Sequence, residues 1–189
     1  SKRDISYINE KFNIEKILEF KGIKQGIENT NYLLKSKNKK FILTIFEKRV
    51  AKKELPFFMN LMDGLNKSKI NCPKPQTKKN GGYLINLKNK AACIVSFLNG
   101  KDKKSLNFKN SYDIGKMIAE MHQSTKKMNL TRKNSMGVKN LNPLLKSIRF
   151  KTKKFTKVEK FLKNNFKDIK MKWPKNLPNG VIHGDLFID

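Results

Sequence analysis

Residues 41–65 have the sequence FILTIFEKRVAKKELPFFMNLMDGL, in which the spacing of apolar residues changes partway along. The first six residues combine β-branched and aromatic side chains, a composition typical of a β-strand. From residue 51 the spacing becomes helical, because the apolar residues stand at positions 55, 58, 59, 62 and 65. Pro56 is compatible with a helix only in its first turn. We therefore predict a strand over 41–46, followed by an amphipathic helix over 51–65.

The segments on either side of this unit predict further strands and one more helix. Apolar residues at helical spacing indicate a helix over residues 5–18. Residues 32–34 and 91–98 have the composition of strands. The sequence Asn80-Gly81-Gly82 predicts a hairpin turn between Gln76 and residues 83–85.

Beyond residue 99 the pattern becomes mostly helical. Residues 112–122 indicate a buried helix, and residues 144–166 a longer, Lys-rich helical region that is broken near Thr152. This order, strands with one helix and then helices, predicts an α+β fold with a sheet-rich first lobe and a helical second lobe. We place the first lobe at residues 1–99 and the start of the helical lobe at 100–189.

The charge of the chain restricts the classes of partner. Lys and Arg number 43 against 15 Asp and Glu, which gives a formal net charge of +28. All but four of these basic residues are Lys, whereas specific nucleic-acid recognition favours Arg because its guanidinium makes bidentate contacts. A Lys-, Asn- and Ile-rich composition also follows from AT-rich codons. We therefore expect no specific nucleic-acid partner, although a non-catalytic, basic nucleic-acid-binding protein remains an alternative.

The sequence also bears on cellular location and metal content. No apolar run approaches the roughly 20 residues that cross a bilayer, and no apolar signal core follows Ser1. Cys72 and Cys93 are too few and too far apart to indicate a disulfide framework or a metal site. We expect a cytoplasmic protein with no membrane partner and no metal ligand within these residues.

His183-Gly184-Asp185 follows the β-type pair Val181-Ile182. This order resembles the catalytic loop of protein kinases and their small-molecule relatives, in which the pattern is His-x-Asp-x-x-x-x-Asn. The aspartate of such a loop orients the substrate hydroxyl and accepts its proton, and the Asn binds the metal ion. Taken alone the tripeptide also fits a solvated turn after a strand.

Six further segments, in order along the chain, resemble the homoserine kinases of the aminoglycoside-phosphotransferase-like family. These six segments are 21–32, 41–49, 54–58, 72–75, 94–100 and 115–122. The resemblance continues through residues 177–187, which contain the tripeptide. The resemblance implies a protein-kinase-like fold and transfer of the γ-phosphate of ATP to the hydroxyl of L-homoserine, a step of threonine biosynthesis. A choline, aminoglycoside or sugar acceptor, or a degenerate binding module, remains an alternative.

The resemblance also implies roles for individual residues. Asp185 would be the catalytic base, and His183 would brace its loop. Residues 96–98 would form the hinge that meets the adenine of ATP. The residues implied to lie over the ATP phosphates are Gly26, Glu28, Asn29, Thr30 and Asn31, and those of the hinge are Ser96, Phe97 and Leu98.

The sequence departs from the kinase pattern at two points. Thr44 stands where kinases have the third-strand lysine that holds the α- and β-phosphates. Lys48 lies four residues on and would point to the same side of a continuous strand, so we expect it to pair with Glu54. The metal-binding Asn would be residue 190, so the Mg²⁺ ligands are expected beyond Asp189 and the 189-residue chain alone is expected to be inactive.

Overall fold

The computed structural model describes residues 1–24, 28–47, 50–101, 103–135, 137–148 and 155–188. These residues form two compact units. The first contains Ser1–Thr131 together with the segment from Gly180 onward, and the second contains Arg132–Asn179. Within the described ranges, no helix is both long enough and apolar enough to cross a membrane.

The first unit is built on a five-stranded antiparallel sheet. Its strands are β1 (Glu19–Ile23), β2 (Asn29–Lys35), β3 (Lys40–Phe46), β4 (Leu84–Leu87) and β5 (Lys90–Ser96), and their spatial order is β1-β2-β3-β5-β4. The strands predicted over 41–46, 32–34 and 91–98 are confirmed, although β5 ends at Ser96 and β2 begins earlier than predicted. β1 was missed, because its second half belongs to a polar, glycine-containing stretch that is typical of a loop.

The hairpin predicted around Asn80-Gly81-Gly82 is wrong in its pairing. A tight turn does form there, since the Lys78 N–H donates to the Gly82 carbonyl over 2.9 Å and Gly81 and Gly82 have φ of 85° and 70°. However, β4 pairs with β5, across a turn at Lys88 and Asn89. These two residues have φ of 51° and 64°, as the tight turns that suit a twisted hairpin require.

Helix α1 (Lys2–Lys11) packs on one side of the sheet, which we call the α1 face. The helix is shorter than the predicted 5–18: after Lys11 the chain is extended, and the Asn9 side chain exchanges two hydrogen bonds with the backbone of Ile17. The returning segment thereby adds Ile17 to the main hydrophobic core. That core comprises Ile8, Phe12, Ile17, Leu34, Phe41, Leu43, Ile85, Leu87, Ala92 and Ile94.

Helix α2 (Leu55–Lys67) lies against the opposite side of the sheet, which we call the α2 face. A short 3₁₀ turn (Lys52–Glu54) precedes it, and Pro56 stands in its first turn as predicted. The buried residues on this face are Met59, Cys93 and Val95, with Ile42, Phe46 and Phe58 packed beside them.

The remaining helices are α3 (Phe108–Lys126) in the first unit, and α4 (Val138–Ser147) and α5 (Thr156–Lys172) in the second. The prediction that residues 112–122 form a helix is confirmed, but the prediction that it is buried is wrong: Met117 is exposed, and Thr125 is the only α3 residue that is buried. The apolar residues along one side of a helix are buried only where another element covers them. The region predicted over 144–166 is two helices, and its predicted break at Thr152 lies outside the described residues.

Candidate active site

A polar pair stands on the otherwise apolar α2 face of the sheet. Asn31 of β2 and Thr44 of β3 are directly opposite each other in the antiparallel register. The Thr44 hydroxyl donates a hydrogen bond of 2.9 Å to Oδ1 of Asn31, and both residues are half-buried. Thr44, which we expect from the sequence to stand at the position of the kinase lysine, is therefore bonded to a residue of the predicted phosphate-binding segment.

Part of that segment is strand rather than loop. Gly26 lies outside the described residues, and Glu28 is exposed just before β2 begins at Asn29. Because side chains alternate along a strand, Asn29 and Asn31 face the α2 side and Thr30 faces the α1 side. Thr30 donates a hydrogen bond of 2.8 Å to Oε1 of Glu47. The structure thus brings Asn29 and Asn31 to the same face as Thr44, but it does not bring Thr30 there.

The predicted lysine–glutamate pair is described only in part. Lys48 lies outside the described residues, so its pairing with Glu54 stays a prediction. Glu54 is half-buried at the end of the 3₁₀ turn that leads into α2, and its N–H donates to the Ala51 carbonyl over 2.8 Å. Glu54 therefore stands where the chain enters the helix that covers the α2 face.

The predicted hinge is anchored to two neighbouring segments. Ser96 ends β5, and its N–H donates to the Lys74 carbonyl while its hydroxyl accepts from the Lys74 N–H, both over 2.9 Å. The Phe97 N–H donates to the Lys40 carbonyl over 3.2 Å, and the Lys40 ammonium lies 5.6 Å from the centre of the Phe97 ring. Phe97 and Leu98 are exposed, so the chain leaves the sheet directly after these backbone hydrogen bonds.

The segment that contains the predicted catalytic residues has neither helix nor strand, so the strand expected at Val181-Ile182 is not formed. His183 and Asp185 are exposed, and no hydrogen bond or ion pair joins either of them to another residue in the described ranges. Gly184 between them has φ of +76°, a conformation that glycine adopts without strain. The positive φ therefore explains why a glycine suits position 184. The bracing role of His183, in contrast, is supported by no contact within the described ranges.

Three further polar side chains of the first unit lie outside the predicted site. The Nε2 atom of His122 is buried without a hydrogen-bond partner among the described residues. Burial raises the pKa of the Cys93 thiol from 9.0 to about 12 and also raises the pKa of Cys72. The described residues contain no group of three or more His, Cys, Asp or Glu placed to hold a metal ion.

The Asn31–Thr44 pair is the part of the site that sequence reasoning missed. The sequence singled out both residues but did not pair them. The signal was available: Asn29, Asn31 and Thr44 are polar residues in otherwise apolar strands, and antiparallel pairing of β2 with β3 places them on one face. The sequence did not reveal the register of β2 against β3, which places Asn31 opposite Thr44.

Sequence comparison places these features in a family. The phosphotransferase enzyme family matches residues 19–189. The homoserine kinase of Rhizobium etli is 33% identical over 187 residues, which cover 98% of this chain and 58% of the relative. The homoserine kinase of Paramagnetospirillum magneticum is 36% identical over 179 residues, which cover 94% of this chain and 55% of the relative. The chain thus spans little more than half the length of the curated relatives that it matches.

Solved structures show the same fold at low sequence identity. Spectinomycin phosphotransferase, in complex with ADP and spectinomycin, superposes with a TM-score of 0.55 at 13% identity, over 90% of this chain and 54% of its own. A microcompartment-associated aminopropanol kinase gives a TM-score of 0.58 at 12% identity, over 76% of this chain and 48% of its own. Together with the strand order and the family match, these similarities confirm the predicted kinase-like α+β fold, and the chain belongs to the phosphotransferase enzyme family.

Proposed function

We propose that the protein transfers the γ-phosphoryl group of ATP to the hydroxyl of L-homoserine and so acts in threonine biosynthesis. One observation carries this proposal: the two homoserine kinases above match at 33% and 36% identity over at least 94% of the chain. The similarity runs through both the sheet and the final segment with Asp185. A cytoplasmic location is part of the proposal.

The α2 face is the side of the sheet that we propose for ATP. Polar side chains at Asn29, Asn31 and Thr44 give this face hydrogen-bonding groups near the turn that leads into β2. At the other end of β3, the anchored backbone of residues 96–98 offers a fixed edge for the adenine. In this arrangement Gly26 and Glu28 lie near the phosphates, and Lys48 with Glu54 replaces the usual third-strand lysine pair.

Asp185 is proposed to orient the homoserine hydroxyl and to accept its proton as the phosphoryl group transfers. Its exposure in the described structure leaves its carboxylate accessible to a substrate. Mg²⁺ would neutralise phosphate charge in such a reaction. The described residues contain no group of His, Cys, Asp or Glu side chains that would hold the ion.

The acceptor is tested with the protein at its full natural length, ATP and Mg²⁺. Release of ADP is measured with L-homoserine, choline, 1-amino-2-propanol, spectinomycin and a hexose as separate acceptors. We expect kcat/KM to be highest for L-homoserine by at least about tenfold, because a site built to bond a specific ammonium and carboxylate discriminates against acceptors that lack them. A higher kcat/KM for another acceptor would show that homoserine is not the preferred substrate, while the proposed phosphotransferase activity would stand. Tight DNA binding that persists at physiological salt, without ADP release, would favour the non-catalytic alternative.

The role of Asp185 is tested by Asp185→Asn, with Asp168→Asn on the exposed surface of α5 as the matched control. Loss of a general base lowers kcat by about 10²- to 10⁴-fold, and we expect the KM for ATP to change little. The control should retain full activity. Equal activity of the two variants would remove Asp185 from the proposed mechanism.

A further inference from the structure

A cavity of about 240 Å³ lies between the first half of α1 and the α1 face of the sheet. Its floor is apolar and is formed by side chains from α1 and from four strands of the sheet. The apolar floor residues include Ile5 and Ile8 of α1, Phe20 of β1, Leu34 of β2, Leu43 and Ile45 of β3, and Leu87 of β4.

The cavity is on the opposite side of the sheet from the proposed ATP site. Thr30 and Ile45 line it, whereas their strand neighbours Asn31 and Thr44 point to the α2 face. A ligand in this cavity would therefore be separated from the proposed ATP site by the thickness of the sheet.

Two acid–base pairs stand around the cavity opening. The Lys88 ammonium lies 3.3 Å from Oδ2 of Asp4, and Lys90 forms an ion pair with Glu47. Thr30 adds its hydroxyl, which is bonded to the other oxygen of Glu47. The Ser1 ammonium also lines the cavity and lies 2.8 Å from the same Oδ2 atom of Asp4. The rim thus presents three cations and two anions close to an apolar floor.

The Asp4–Lys88 pair can exchange partners at low cost. The Lys88 side chain is 71% exposed, and a pair at the surface contributes little to stability because water and salt screen it. A ligand that carries one charge of each sign could therefore take the place of Lys88 at Asp4 and of Asp4 at Lys88, while Ser1 remains bonded to Asp4. A ligand with a single charge would leave one member of the rim without its partner.

We propose that this cavity binds a free L-α-amino acid with an apolar side chain. The ligand carboxylate lies at Lys88 and Lys90, its ammonium group at Asp4 and Glu47, and its side chain on the apolar floor. The volume is compatible with this class, since the cavity of about 240 Å³ is several times the roughly 30 Å³ that one water molecule occupies in the liquid.

The proposal is tested by calorimetric titration of the protein at its full natural length with L-leucine and L-phenylalanine. Glycine, 3-phenylpropionate and phenethylamine serve as probes that lack the apolar side chain, the ammonium or the carboxylate. We expect both zwitterionic amino acids to bind and each of the three incomplete probes to bind at least about tenfold more weakly, because each loses one charged contact or the apolar burial.

Variants locate the binding site. Lys88→Gln and Asp4→Asn alter exposed or half-buried rim groups and should raise the Kd of L-phenylalanine about tenfold, while circular dichroism confirms that they remain folded. Ile45→Trp should fill the cavity and abolish binding. The matched controls are Lys69→Gln, at another lysine with positive φ, and Asp63→Asn, at another acid paired with a lysine, and both should leave the Kd unchanged.

Three results would overturn the proposal. The first is the absence of any binding heat or chemical-shift change with L-leucine and L-phenylalanine. The second is binding that is equally weakened by the rim variants and by the controls. The third is binding that L-homoserine displaces and that Lys88→Gln leaves intact, because such a ligand would occupy the proposed acceptor site. This test does not depend on kinase activity.

Discussion

The two faces of the sheet differ in what covers them and in what they contain. The α1 face carries the larger buried core, with Phe12, Ile8 and Ile94 fully buried under α1 and the segment that follows it. The α2 face has a smaller buried cluster and holds the bonded polar pair Asn31 and Thr44. A half-buried face tolerates polar groups because they can still reach water or a ligand. The comparison indicates that the α1 face contributes more of the buried core, whereas the α2 face combines a smaller core with hydrogen-bonding side chains.

The largest expected effect is on the α1 face. Phe12→Ala should lower the free energy of unfolding by about 3–5 kcal/mol, because it removes a fully buried aromatic side chain and leaves a cavity. Phe58→Ala, the same truncation on the half-buried α2 face, should cost roughly half as much. Chemical denaturation of both variants measures the difference. Equal losses would mean that the two faces contribute equally to stability.

The second effect concerns Cys93 on the α2 face, whose contribution to the free energy of unfolding depends on pH. Burial raises the pKa of this thiol from 9.0 to about 12, so the folded protein keeps a proton that the unfolded chain loses. The stabilisation that comes from the protonated Cys93 thiol is therefore fully present below about pH 9. It is lost as pH rises toward 12, by up to about 1.4 kcal/mol per pH unit.

Denaturation at several pH values should show this loss in the wild type and a shallower slope in Cys93→Ala. Cys72→Ala is the control, because Cys72 is only half-buried whereas Cys93 is buried. Identical slopes for the wild type and Cys93→Ala would show that the thiol is not held protonated by burial.

A smaller effect concerns the polar pair on the α2 face. Thr44→Val removes the hydroxyl that donates to Asn31 and should cost about 1 kcal/mol of unfolding free energy. A double-mutant cycle with Asn31→Ala measures the coupling between the two side chains. A coupling energy near zero would mean that the bond is not formed in solution, and would weaken the case for a defined polar site.

The smallest effect is expected away from both buried faces. Lys35 and Glu19 form a 3.0 Å ion pair between β1 and β2, and both side chains are largely exposed. Lys35→Ala should change the unfolding free energy by about 0.5 kcal/mol or less, because such pairs are screened by water. A loss comparable with that of Phe58→Ala would show that the sheet edge contributes more than the burial pattern indicates.

Prediction from the sequence succeeded where local signals were strong. The β-branched run at 41–46 and the helical spacing after it predicted β3 and α2, although α2 begins at Leu55 rather than at the predicted residue 51. The family resemblance and the kinase-like fold also followed from the sequence. In the site, the sequence singled out Asn31 and Thr44 but could not state that they are bonded, because that contact depends on the β2–β3 register.

The errors arose where long-range packing decides the outcome. The turn signal at Gly81 and Gly82 was real, but the hairpin uses Lys88 and Asn89, neither of which is a glycine. The pairing of β4 with β5 buries Ile85 and Leu87 against α1, and that burial outweighs local turn preference. In the same way, the apolar spacing of α3 predicted a helix correctly but could not reveal how much of it is covered.

The sequence by itself determined the kind of fold, the family and the residues with chemistry to offer, because these depend on local spacing and on side-chain type. Only the tertiary structure decided which of those residues share a surface. Alternation along β2 sends Thr30 to one face and Asn31 to the other, and the register of β3 gives each its partner, Glu47 for Thr30 and Thr44 for Asn31. The same register places an apolar cavity with a charged rim behind the proposed ATP site.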